Sequence, residues 1–170
     1  MDVRLRAVAA DDVRLLDAWR ADPVSRGAFN DFGLLPPSTL AEQLEQGTVV
    51  GADGGLLVVE ADGVAVGSVG WHAVPYGPNP ESKCFNIGIA LAPHARGRGV
   101  GTLAQRMLAD YLFATTSVNR VEASTDLDNI AEQRALEKGG FAREGVIRGA
   151  QFRAGSWRDL VGYARLRNDG

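Results

Sequence analysis

A mixed α/β sheet flanked by helices is the fold this chain predicts, and three observations predict it. Short β-branched runs alternate with stretches of helical periodicity. A glycine-rich loop, Pro93 to Thr102, joins an apolar strand to a helical pattern. Runs on either side of Asp62-Gly63 and of Ala154-Gly155 read as hairpins. With 170 residues, 45% of them hydrophobic, the chain suits one domain with its own core. No repeat, low-complexity tract or linker divides it, so a single domain over 1–170 is expected.

In order, Val3, Leu5 and Ala7 alternate with Arg4 and Arg6, the period of a half-buried strand. Asp11 and Asp12 open a helix on which Val13, Leu16 and Trp19 share a face, with Pro23 beyond its end. Phe29 to Gly33 reads as a loop, and Pro36-Pro37-Ser38 starts a second helix, Thr39 to Gln46. These two helices are expected to form a lid. Leu56 to Glu60 and Val64 to His72 form the first hairpin, and Phe85 to Leu91 is the strand that enters the glycine loop. A helix runs from the loop to about Ala114. Val121, Ala123 and Thr125 mark one face of a further strand. A helix from about Ile130 to Lys138 ends at Gly139-Gly140, and Phe141 to Arg153 pairs with Trp157 to Arg167.

Bulk properties exclude several classes. A net charge of −3 with scattered basic residues argues against nucleic-acid binding. One cysteine, Cys84, rules out an intrachain disulfide framework and fits a cytoplasmic protein, and with two histidines there is no clustered metal-ligand set. No long apolar stretch marks a membrane span, and Asp2, Arg4 and Arg6 stand where a signal peptide would be apolar.

The loop Arg96-Gly97-Arg98-Gly99-Val100-Gly101-Thr102 is the chemical centre of the sequence. Its glycines let consecutive N–H groups converge on an anion at a helix start, where the helix dipole favours phosphate. Arg96 and Arg98 add two guanidinium groups that fork onto phosphate oxygens. A P-loop would need lysine before Thr102, and a dinucleotide fingerprint would need its third glycine one residue later. A nucleotide-binding oxidoreductase is therefore a lesser alternative.

This loop resembles the Arg/Gln-x-x-Gly-x-Gly/Ala loop of the GNAT acyltransferases. Asn129-Ile130-Ala131-Glu132, Leu136 to Phe141, Glu144-Gly145 and Trp157-Arg158-Asp159 resemble the C-terminal signature of the Rim-type branch, which includes ribosomal-protein N-terminal acetyltransferases. The resemblance implies a mostly antiparallel sheet whose central parallel strands splay apart. It also implies acetyl-CoA or another acyl-CoA as co-substrate, with no metal. The pyrophosphate would lie on the amides from Arg96 to Thr102, and the pantetheine arm along Ile89 and Leu91 beside Asn129. Asn129, three residues before Glu132, also reads as a helix cap. A homodimer is compatible with the resemblance.

The implied reaction is direct attack of a neutral amine, from a small molecule or a protein N-terminus, on the thioester. At pH 7 a lysine-like amine is only ~0.04% neutral and an α-amine roughly 10–15%, so deprotonation belongs to the barrier. The Ile89 amide is the expected oxyanion donor. At the family's proton-handling positions the chain departs: Glu132 stands for a serine, Gln151 for a glutamate and Asn86 for a carboxylate. Glu132 is the candidate base, with Glu122, Asp126 and Asp128 behind it, while His72 and His94 read as structural or surface residues. Phe29, Phe32, Trp71, Gln151 and Trp157 are candidate walls of an acceptor pocket, although the aromatic ones are equally at home in a core. The missing carboxylates leave a non-catalytic acyl-CoA sensor as the competing reading.

Overall fold

The computed structural model describes residues 1–169. Strand β1 (Val3–Arg6) leads into helix α1 (Ala10–Ala21). Asp12 proves to be more than a first-turn acid: it is buried, accepts the Ala9 N–H at 2.8 Å, and is forked by Arg6 at 2.6 and 2.9 Å. The guanidinium holds its carboxyl below the usual range. Pro23 does not merely follow the helix. It opens a one-turn helix, α2 (Pro23–Arg26), because the Asp22 carboxylate accepts the Ser25 N–H at 2.9 Å and proline suits the first helical position. Helix α3 (Leu40–Glu45) is shorter than expected, and a two-residue strand, β2 (Val50–Gly51), precedes β3.

Strands β3 (Gly54–Ala61) and β4 (Val64–Pro75) form the first hairpin, with Asp62 and Gly63 at φ of 50° and 81°. Positive φ at both turn positions matches the twist of an antiparallel pair. The same device, Ala154 at 51° and Gly155 at 77°, joins β7 (Ala142–Arg153) to β8 (Ser156–Leu166). Between the hairpins lie β5 (Lys83–Leu91), α4 (Val100–Thr115), β6 (Arg120–Asp126) and α5 (Ile130–Lys138). The sheet order is β1, β3, β4, β5, β6, β8, β7, with β2 on β3. Every pairing is antiparallel except β5 with β6.

Each face of the sheet buries its own apolar set. Val59, Val69, Phe85 and Val121 pack against Ala104, Leu108 and Leu112 of α4 and Leu136 of α5. On the opposite face Val58 packs with Val8, Leu16 of α1 and Leu40 of α3. Burying each such leucine stabilises the fold by about 1.5–3 kcal/mol. The parallel pair is short: Phe85 meets Val121 and Asn86 meets Glu122, after which the strands part. Each has an antiparallel partner on its other side, so the two halves of the sheet twist independently beyond that point. Among the described residues no helix is long and apolar enough to cross a membrane.

Candidate active site

Where β5 and β6 part, a cleft of about 620 Å³ opens between Ile89 to Leu91, the glycine loop and the first turns of α5. Gly97 and Gly99 have φ of 70° and 82°, a left-handed backbone that glycine alone adopts without strain. A Cβ at either would meet nothing within 4 Å, so conformation and not crowding demands glycine there. Gly99 is also the N-cap of α4, and no side chain caps it. With no acid in the first turn, the orphan N–H groups of α4 are left for an anion.

Arg96 borders this cleft, with part of its guanidinium engaged by the protein's own backbone. Its Nε donates to the Leu91 carbonyl at 2.9 Å and a terminal nitrogen donates to the Ser25 carbonyl, tying the loop to the end of β5 and to α2. Asn129 caps α5: its side chain accepts the Glu132 N–H at 3.4 Å and donates to Thr125 Oγ1 at 3.0 Å. Glu132 does not return the favour to Asn129, so only half of a capping box forms. Its carboxyl lies beside buried Gln105, and burial pushes its pKa up.

A second cleft, about 880 Å³, lies on the other side of Ile89 to Leu91, under α1 and α3. Its floor comes from one face of β4 and β5. Across the two strands His72 pairs with Asn86, Gly70 with Gly88, and Ser68 with Ala90. Gly88 leaves its part of the floor bare, since a Cβ there would meet nothing within 4 Å, whereas one on Gly70 would meet the Gly55 carbonyl at 3.3 Å and the Leu56 side chain at 3.4 Å. Trp19, Pro36, Pro37 and Gln43 close the opposite side, so the two N-terminal helices do cover a cavity.

Residues 2–142 match the acetyltransferase (GNAT) domain family. The chain belongs to the GNAT acetyltransferase family. It is 37% identical over 83 residues to the Probable N-acetyltransferase YjcK of Bacillus subtilis, an alignment covering 49% of this chain and 46% of that protein. The chain thus spans about half the length of that relative. With the uncharacterized N-acetyltransferase p20 of Bacillus licheniformis it shares 23% identity over 97% of its own length and 93% of the other. The fold is shared with a spermidine N-acetyltransferase from Vibrio cholerae solved with CoA and spermine, at TM-score 0.80, 20% identity, and coverage of 98% and 96% of the two chains. It is also shared with Mycobacterium smegmatis RimJ solved with CoA-disulfide, at TM-score 0.78, 24% identity, and coverage of 96% and 81%.

Within this GNAT chain the expected site residues scatter unevenly. Ile89 and Leu91 border both clefts; Gly97, Gly99, Gly101, Thr102, Asn129 and Glu132 border only the smaller one. Arg98 is exposed, and Val100 is buried in the core. Trp71 is buried, with its ring edge toward Tyr111, and reaches the larger cleft from below. Phe29 borders the smaller cleft instead. Phe32, Gln151 and Trp157 border neither, and Trp157 is no core residue: it is 66% exposed and packs edge-on against Phe152 at the β7–β8 turn. Two of the lesser base candidates, Glu122 and Asp126, are engaged. Glu122 accepts from Tyr76 and Arg120, and Asp126 is paired with buried Arg153.

Sequence reasoning missed three groups. Arg134 and Lys138 border the smaller cleft, and their spacing with Ala131 and Ala135 on α5 was a readable signal. Arg153 joins Asp126 to the Ala28 carbonyl at 2.6 Å and lies 5.3 Å from the Phe29 ring centre. No local pattern announces a partner 125 residues away. His72, read as a structural or surface residue, is exposed and also borders the larger cleft.

Proposed function

We propose that this chain transfers an acetyl or other short acyl group from acyl-CoA to a primary amine of a small molecule or protein N-terminus. One observation carries the reading: two clefts adjoin along β5 at Ile89 to Leu91, with Arg26 and Asn30 also bordering both. The smaller offers uncapped helix amides and a left-handed glycine loop suited to a pyrophosphate, with Lys138 and Arg134 as cations beside it. A thioester lying along Ile89 would present its carbonyl to an amine in the larger cleft, with the two reactants held close.

The larger cleft counts Asp17 as its lone carboxylate among the described residues, against Arg20 and Arg26. That balance disfavours a polycationic acceptor. Acetyl-CoA binding by calorimetry, followed by thiol release in the presence of amines, tests the transfer reading. Gly88→Leu, whose side chain extends into open cleft space, is expected to abolish turnover while leaving acetyl-CoA affinity within about threefold, since the change is confined to steric filling. Loss of coenzyme binding in that variant would undo the division of labour between the clefts. The absence of a carboxylate at Asn86 and Gln151 supports the sensor as a second reading, and binding without thiol release on any amine would decide for it.

A further inference from the structure

Transfer to an ammonium-bearing acceptor needs a group to take one proton, and the expected candidates are misplaced for it. Glu132 borders only the smaller cleft, and Gln151 borders neither. Among the described residues the titratable side chains bordering the larger cleft are Asp17, Arg20, Arg26 and His72. Guanidinium groups do not give up their protons, so the arginines cannot act as bases. An aspartate carboxylate is too weak a base for an ammonium, whereas imidazole exchanges its proton in the neutral range.

The position of His72 fits the task. Ser68, Gly70 and His72 of β4, with Asn86, Gly88 and Ala90 of β5, form the cleft floor, while Val69, Trp71, Phe85 and Ile87 turn to the α4 side. Bare Gly88, paired with Gly70, lies one two-residue strand step, about 6.6 Å, from the row of His72 and Asn86. An amine resting on Gly88 is therefore within reach of the imidazole through one water. We infer that His72 is the general base of the larger cleft, with Asn86 opposite it as a positioning residue. The inference rests on the acyl-transfer reading.

The neutral imidazole takes one proton from the acceptor ammonium. The freed nitrogen lone pair forms the C–N bond at the thioester carbonyl. The C–S bond then breaks, the departing sulfur takes the second N–H proton, and the imidazolium later returns its proton to solvent. The groups around the imidazole do not block this. Asp17 and Arg20 border the same cleft from α1 and Arg26 from α2, while α3 contributes uncharged Gln43. Arg26 is held by Asp31 at 2.7 Å. Gly54 lies opposite on β3, and the adjoining turn carries Asp53 paired with Lys83. Glu122, next in the row beyond Asn86, is engaged by Arg120 and Tyr76.

The test compares wild type, His72→Gln and His72→Asn in thiol release from acetyl-CoA across pH 6–10, with Ala-Ala dipeptide, phenethylamine and spermidine as acceptors. Circular dichroism checks that the exposed substitution leaves the fold intact. A positioned base contributes about 10²–10⁴ in rate, so kcat at pH 7 should fall about 100-fold in both variants. The deficit should shrink to a few-fold at pH 10, where free amine is abundant, and KM for acetyl-CoA should hold. A variant profile parallel to wild type overturns the role of His72 and leaves acyl transfer standing. No wild-type turnover on any of the three amines overturns both.

Discussion

Single side chains in this protein are decided by what lies across from them. Glu132 looks in the sequence like a partner of Asn129, yet it sits half-buried beside Gln105 with its pKa raised by desolvation. Its fold therefore favours the protonated acid. That contribution is complete below the unfolded value of about 4.3 and is lost as pH rises through the folded one. Glu132→Gln, neutral throughout, should raise the melting temperature by about 2–4 °C at pH 8 and by less at pH 4, as followed by scanning calorimetry. Equal shifts at both pH values would contradict the burial argument. Arg96 shows the same lesson: beside glycines its guanidinium reads as a phosphate ligand, and the structure adds hydrogen bonds to Leu91 and Ser25 that anchor the loop.

At the scale of elements, the local signals were strong and their boundaries shifted by a few residues. The two hairpins were legible because Asp-Gly and Ala-Gly turns sit between alternating strands, and both adopt the positive φ angles that such turns require. The glycine loop was legible from its spacing, and Gly97 and Gly99 adopt left-handed φ angles. Forcing a Cβ onto Gly99 at φ 82° costs about 1–2 kcal/mol and misaligns the α4 amides. Gly99→Ala should thus melt a few degrees lower and bind acetyl-CoA at least about tenfold more weakly, by roughly 1.4 kcal/mol of lost interaction. Wild-type affinity in titration calorimetry would show that the cradle lies elsewhere. The one-turn α2 escaped because a proline after a helix reads as a stop, whereas Asp22 converts it into a start.

Over the whole molecule, the buried pair of Arg153 and Asp126 joins the C-terminal hairpin to the end of β6 and, through Ala28, to the loop after α2. Removing one member leaves a buried charge without its partner, so Arg153→Met and Asp126→Asn should each cost about 3–5 kcal/mol. The double variant should cost less than their sum by more than about 1 kcal/mol in urea unfolding. Strict additivity would mean that the two residues act independently.

The sequence by itself determined the fold class, the order of the longer elements and the family, because periodicity, turn chemistry and the linked loop and C-terminal motifs are written in neighbouring positions. Tertiary structure alone decided which side chains face a cleft. Phe32, Gln151 and Trp157 border neither cleft, while His72 borders the larger one, Arg134 and Lys138 border the smaller, and Arg153 holds the Ala28 carbonyl beside it. The physical reason is the parting of β5 from β6 after only two paired positions. A strand's sequence states which residues share a face, but the direction in which two strands diverge depends on the partners each has elsewhere in the sheet.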